Sequence, residues 1–67
     1  MRRDQLISLM KASKEENGGS PNFLVVVPED NVRAVATILR HFVAEGTISG
    51  WSVQGPANYI DIEGYNG

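Results

Sequence analysis

The sequence contains no cysteine and only one histidine, His41, among its 67 residues. The absence of cysteine excludes disulfide bonds and thiolate metal ligands. A single histidine could not hold a zinc ion without several carboxylates beside it. No nucleophile motif and no metal-ligand spacing occurs elsewhere in the chain. We therefore predict no catalytic residues, no metal site and no cofactor, and expect a protein that is not an enzyme.

Clustered basic residues and long apolar runs are also absent. The chain has six Lys and Arg residues against eight Asp and Glu residues, for a formal net charge of −2. Nucleic acid is not an expected partner, because neutralising phosphates needs clustered basic side chains. No run approaches the ~20 apolar residues of a membrane span, and the opening MRRDQLISLM has no hydrophobic region or cleavage site of a secretory signal. We expect a cytoplasmic protein (in the host cytoplasm if a phage encodes it) with no membrane partner.

The small size favours self-association. Residues 1–67 make a single small domain. A chain of this length buries only about 60% of the surface that its unfolded form exposes, so a lone monomer is of marginal stability. Small domains compensate with disulfides, a metal or oligomerisation. Since the composition removes the first two, we expect a homo-oligomer, a dimer or larger.

Residues 3–16 have the periodicity of an amphipathic helix. Leu6, Leu9 and Met10 fall on one face at helical spacing. Asp4 is the expected N-cap, and the segment NGGSP that follows is a strong helix stop.

A second amphipathic helix is predicted between Pro28 and Gly46. Its apolar positions recur at spacings of three and four residues along one stripe. Asp30 is the expected N-cap and Gly46 the C-terminal stop. Ile38 lies beside the stripe, so we expect it to contact the first helix or a partner chain. The stripe consists of Val32, Val35, Ala36, Leu39, Phe42 and Val43.

Three strands are predicted, of which the first is the segment Phe23–Val27 between two prolines. The other two are GWSVQ and NYIDIEGY, joined across GPAN. Pro56 fixes φ near −65° and so excludes the tight type I′ and II′ hairpin turns. A three-residue loop would put Trp51 and Val53 on the acidic side of the last strand. A four-residue loop over residues 55–58 instead pairs Val53 with Ile60 and Trp51 with Ile62, and we predict this register.

This register divides the last strands between two faces of the sheet. One face is predicted to join the core, and its members are Trp51, Val53, Ile60 and Ile62. The other face carries a row of aromatic and acidic side chains, which are Tyr59, Asp61, Glu63 and Tyr65. A solvated outer face is one interpretation of this row, and a partner-binding surface is the other. Acid–base catalysis or a divalent metal would need these carboxylates in a dry pocket, which the pattern does not indicate.

The element order α-β-α-β-β predicts an α+β fold. We expect a two-layer sandwich, with both helices on one face of a three-stranded sheet, as in half of a ferredoxin-like split βαβ unit. Strand order 1-3-2 is our first choice and 1-2-3 the second. In hydrophobic pattern and glycine placement, residues 23–55 are similar to the first half of PII-like signalling and other ferredoxin-like proteins. The long ligand loop of that family is missing, so no ligand-binding residues carry over.

In either order the apolar first strand lies at an edge of the sheet, where it invites pairing with another chain. One set of its side chains must emerge on the face without helices, either Phe23, Val25 and Val27 or Leu24 and Val26. We predict an oligomer interface that comprises Leu24, Val26 and Ile38.

Two functions remain in view. The first is a small interaction protein, of a size and acidity common among phage-encoded inhibitors, that inhibits or occludes a host defence protein and binds it through the aromatic and acidic row. The alternative is an oligomer that binds or sequesters a small anionic ligand of the nucleotide type in pockets between subunits. The candidate anion contacts are Arg2, Arg3, Lys11 and Arg40.

Overall fold

A computed structural model describes all of residues 1–67. The elements are α1 (Arg3–Glu16), β1 (Phe23–Val26), a short 3-10 turn (Glu29–Asn31), α2 (Val32–Glu45), β2 (Gly50–Val53) and β3 (Tyr59–Glu63). The fold is α+β, with two α-helices and a three-stranded antiparallel sheet. The observed strand order is β1-β3-β2, the first of the two orders considered from the sequence, so β3 is the central strand. Neither helix has the length and apolar character needed to cross a membrane.

The register between β2 and β3 confirms the prediction made from the loop. Val53 lies opposite Ile60 and Trp51 opposite Ile62. The hairpin closes over residues 55–58, where the Gln54 amide donates to the Tyr59 carbonyl at 2.9 Å. Pro56 excludes the two-residue turns, and the side-chain pattern excludes the three-residue loop, which would put Trp51 and Val53 on the acidic side.

A single hydrophobic core joins the helices to one face of the sheet. In β1 the burial alternates, with Phe23 and Val25 buried and Leu24 and Val26 exposed. The strand period of two therefore settles which set of β1 side chains emerges away from the helices. The core residues are Leu6, Met10, Phe23, Val25, Val27, Val35, Leu39, Phe42, Ile48, Ile60, Ile62 and Tyr65.

Tyr65 lies in this core, and its predicted place in the outer aromatic and acidic row is wrong. Its exposure is only 3%, and its ring meets Phe23 edge to face at 5.9 Å between centroids. The cause is Gly64, whose φ of +66° ends the strand conformation. Side chains alternate only while the backbone stays extended, so Tyr65 turns under the sheet instead of continuing the row.

Val53 is a second correction, because it is 46% exposed although it was expected in the core. It lies on the same face of the sheet as Ile60, but at the end of the edge strand β2. Trp51 is half-buried and packs against the margin of the core. The helices therefore cover β1 and β3 more completely than they cover β2.

The predicted ends were right at both helix C-termini, since α1 ends before Asn17 and α2 ends before Gly46, and the two predicted N-caps were wrong. Gly46 ends α2 with φ +80°, and the Thr47 amide donates to the Phe42 carbonyl at 2.8 Å. Asp4 lies inside α1, whose N-cap is Arg2; the Arg2 amide donates to Gln5 Oε1 at 2.8 Å. Asp30 is within the 3-10 turn that leads into α2 and does not cap the helix. α1 thus begins one residue before Asp4, and the 3-10 turn that precedes α2 begins one residue before Asp30.

Candidate functional site

One face of the sheet carries no side chain of the buried core, and we call it the outer face. Strand parity assigns its members from the observed registers. They are Leu24 and Val26 of β1, Gly50 and Ser52 of β2, and Tyr59, Asp61 and Glu63 of β3.

Apolar side chains occupy one side of the outer face. Leu24 is 42% exposed, Val26 is 47% exposed and Tyr59 is 39% exposed. Val26 lies directly opposite Tyr59, and Leu24 lies opposite Asp61. Cross-strand neighbours of this kind have Cβ atoms about 5 Å apart, so the three apolar side chains form one continuous patch at β1 and β3.

The remaining side of the outer face is acidic. Asp61 is half-buried between Leu24 and Ser52, its two cross-strand neighbours, and Glu63 is exposed two residues further along β3. A shallow depression beside them is lined by Asn22, Phe23, Leu24, Asp61, Ile62 and Glu63. Asn22 helps to shape its rim, because its Oδ1 accepts a hydrogen bond from the Gly64 amide at 2.9 Å.

No positive charge balances these carboxylates within the sheet. The three strands contain no lysine or arginine. The six basic residues all belong to the helical part of the chain, where six acidic residues match them. The formal net charge of −2 therefore falls on Asp61 and Glu63. The outer face combines an apolar patch with the whole net charge of the molecule.

The edge of the sheet at β1 is open. The Val27 amide donates to the Asn58 carbonyl at 3.0 Å, which makes these two residues a hydrogen-bonded pair. Bonded and non-bonded pairs alternate along an antiparallel ladder. The backbone groups of Leu24 and Val26 therefore point away from β3, toward the free edge. In β2, the Gln54 amide donates to the Tyr59 carbonyl. By the same alternation, the backbone groups of Trp51 and Val53 point toward the free edge of β2.

The structure brings together most of the residues predicted for the two interfaces. Three members of the predicted partner-binding row, Tyr59, Asp61 and Glu63, share the outer face with Leu24 and Val26 of the predicted oligomer interface. Ile38 is elsewhere, half-buried on α2 against the core. Sequence reasoning missed Asn22, since a polar residue just before a strand gives no periodic signal. The one sequence signal for Asn22 was its position after Pro21, in an extended segment that leads into β1.

The predicted anion contacts are not assembled into one site. Arg3 is engaged by Glu45 at the end of α2, through Nη2–Oε1 at 2.9 Å and Nη1–Oε2 at 3.2 Å. This bidentate hydrogen bond raises the pKa of Arg3 and lowers the pKa of Glu45. Arg3 also lies over the Phe42 ring, 4.8 Å from its centroid. The Arg2 side chain is 3.4 Å from Asp4.

The other two predicted anion contacts, Lys11 and Arg40, lie on different helices and are exposed. Arg40 flanks a shallow depression along α2, together with Arg33, which the sequence did not single out. No group of three His, Asp or Glu side chains is placed to hold a metal ion.

Comparison of the chain with family models, with curated proteins and with solved structures finds no match. Any function proposed for the chain therefore rests on the geometry of the outer face.

Proposed function

We propose that the protein is a non-catalytic interaction module whose outer face binds another protein. The observation that carries the proposal is the placement of three exposed apolar side chains, Leu24, Val26 and Tyr59, directly beside two carboxylates that have no basic neighbour in the sheet. Contiguous exposed apolar surface rimmed by polar groups is characteristic of protein interaction sites. A row that faced only water would have no need of these apolar side chains.

The proposal includes the two-layer arrangement expected from the sequence, a half-ferredoxin-like unit with both helices on the inner face of the sheet. Leu6 of α1 and Leu39 of α2 share one core with Val25 and Ile62 of the sheet, which supports this arrangement. The outer face then stays free for a partner.

Charge favours a partner that differs from this chain, in contrast to the homo-oligomer that its small size predicts. Stacking two outer faces of the same protein would place two surfaces that each carry a formal net charge of −2 against each other, and like charges across an interface oppose association. A partner with a basic surface would be attracted instead. Inhibition of a host protein by occlusion, the role expected from size and acidity, is one form that this binding would take.

A small anionic ligand has weaker support. Two of its four predicted contacts, Arg2 and Arg3, already have acidic partners within the chain, and the depression on the outer face is lined by carboxylates. Neither feature suits a nucleotide phosphate.

Capture from a lysate of the source organism tests the proposal. A tagged protein that carries Tyr59→Ala and Asp61→Lys removes an apolar and an acidic group of the outer face. We expect it to lose a partner that the wild type retains, because both changes lie within the proposed interface. The partner is identified by mass spectrometry.

The matched control changes the exposed side of α2 with Thr37→Ala and His41→Ala, and it should retain the partner. Equal thermal unfolding midpoints would show that both variants fold. Capture of the same partner by the outer-face variant, or no specific capture by the wild type, would contradict the proposal.

A further inference from the structure

We propose that the partner supplies an extended segment that adds to the free edge of β1 as a fourth antiparallel or parallel strand, and that this segment carries an apolar residue and a lysine or arginine two residues apart, on one face of the strand. The inference rests on the proposed function and specifies its binding mode. It commits to a strand of another protein and not to a second copy of this chain.

The hydrogen-bonding groups for such a strand are in place. The backbone N–H and C=O groups of Leu24 and Val26 point to the free edge, as the alternation from the Val27–Asn58 pair requires. β1 also lacks the features that usually protect an edge, since it has no lysine, no proline and no glycine between Phe23 and Val26. An incoming strand would satisfy four backbone groups and extend the apolar patch over Leu24 and Val26.

Helix α1 argues against self-pairing at this edge. α1 packs against β1, and its residues Leu6 and Met10 are completely buried in the core that contains Val25. Adjacent strands are about 4.8 Å apart, whereas packed helix axes need about 8–10 Å. If β1 paired antiparallel with β1 of a second copy, the two α1 helices would lie side by side on one face of the joined sheet and compete for the same space. A single extended strand brings no such helix.

The side-chain chemistry of the segment follows from the outer face. A residue beside Val26 would meet Val26 and Tyr59, so an apolar side chain fits there. A residue beside Leu24 would lie next to the depression that Asp61 and Glu63 line. A long basic side chain can extend over Leu24 to these carboxylates, with its methylene groups on the leucine and its charge at the acids. The absence of lysine and arginine from the three strands leaves this acidic position unpaired within the chain.

Two proline variants separate the two edges of the sheet. Val26→Pro removes an N–H that points outward from β1 and is not part of the ladder with β3. Val53→Pro does the same at β2, and the two valines are similarly exposed, at 47% and 46%. Proline is tolerated at edge positions of this kind because the missing donor faces solvent. Val53→Pro is therefore the control for loss of an edge donor, and Val26→Ala, which keeps the N–H, is the control for loss of the Val26 side chain from the outer face.

The probe is a displayed library of random twelve-residue peptides, selected on the wild-type protein. We expect enriched sequences in which an apolar residue and a lysine or arginine are two residues apart. Synthetic copies should bind Val26→Pro at least ten times more weakly than either the wild type or Val26→Ala, by isothermal titration, and should bind Val53→Pro as tightly as the wild type. In the bound state, hydrogen exchange of the Leu24 and Val26 amides should slow, and the protein should sediment as a monomer before peptide is added.

The outcomes distinguish the binding mode from the proposed function. Peptides that bind Val26→Pro as tightly as the wild type, but lose binding to Tyr59→Ala with Asp61→Lys, would overturn strand addition and leave the outer face as the binding surface. A wild-type dimer that Val26→Pro dissociates would also overturn it, because a second copy would fill the edge. If the selection enriched no peptide, strand addition would be overturned. If the wild type also captured no partner from the lysate, protein binding by the outer face would be overturned too.

Discussion

At the scale of single residues, Gly64 determines the composition of the outer face, because its positive φ turns Tyr65 into the core. A Cβ at this position would be 2.8 Å from Ser49 Cβ and would also meet the Ser49 hydroxyl. The left-handed conformation alone costs a non-glycine residue about 1–2 kcal/mol. We predict that Gly64→Ala lowers the free energy of unfolding by more than this amount, as measured by urea denaturation.

Gly46→Ala is the control for this prediction. Gly46 has a similar φ of +80°, but a Cβ there would have no atom within 4 Å. Its substitution should carry only the conformational cost. Equal losses for the two variants would show that the contact with Ser49 does not matter.

Tyr65 itself makes stability depend on pH in the alkaline range. Burial raises the pKa of Tyr65 above its ordinary value of 10.0. The folded state therefore holds the phenol proton more tightly than the unfolded state does. The associated stability is complete below the unfolded pKa of about 10 and is lost as pH rises from there through the folded pKa. We predict that Tyr65→Phe makes the free energy of unfolding fall less steeply above pH 10 than in the wild type.

The measurement is urea denaturation at a series of pH values between 8 and about 11.5, where Lys and Tyr side chains titrate. Tyr59→Phe serves as the control, because it removes a tyrosine hydroxyl at the exposed outer face. This control should keep the wild-type slope. A Tyr65→Phe slope that matches the wild type would show that burial of the phenol does not contribute.

At the scale of the elements, the sequence predicted whatever depends on periodicity and turn chemistry. The extent of α1, the stop at Gly46 and the pairing of Trp51 with Ile62 all follow from local rules. The register was predictable because a one-residue slip would have moved every side chain of β2 to the other face. Pro56 removed the two-residue turns and the side-chain pattern removed the three-residue loop, so the two local constraints together left the four-residue loop.

Three features of the site depended on tertiary structure and could not be read from periodicity. Which β1 side chains emerge depends on where α1 packs, since both sets are apolar. The exposure of Val53 depends on how far the helices reach across the sheet. Tyr65 continued the alternating pattern of β3 in the sequence, and only the backbone conformation at Gly64 shows that it leaves the row. The acidic half of the site was predictable, whereas its apolar half was one of two alternatives.

At the scale of the whole molecule, charge and apolar surface are distributed unequally between the two sides. The helical part of the chain contains six basic and six acidic residues, and the sheet contains only acidic ones. The exposed apolar patch is on that same acidic side. Electrostatic attraction steers a basic partner toward this side and speeds its association, while the apolar patch slows its dissociation. The proposed binding surface thus has one orientation on the molecule.

The size of the molecule sets how much core packing it can lose. At about 0.05–0.15 kcal/mol per residue, a chain of 67 residues has a free energy of unfolding of about 3–10 kcal/mol. Phe42 is completely buried in the core, and truncation of such a residue to alanine costs about 3–5 kcal/mol. We predict that Phe42→Ala removes at least about a third of the free energy of unfolding and lowers the urea midpoint in proportion.

Ile60→Val provides the comparison, since it removes one methylene from an equally buried position and costs about 0.5–1.5 kcal/mol. This variant should stay folded, with a modestly lower urea midpoint. Trp51 fluorescence follows both transitions, because Trp51 packs against the core margin. If Phe42→Ala kept a midpoint as high as Ile60→Val, the core would be able to collapse around the lost ring. Burial of the Phe42 ring would then contribute less to the stability of the protein than we expect.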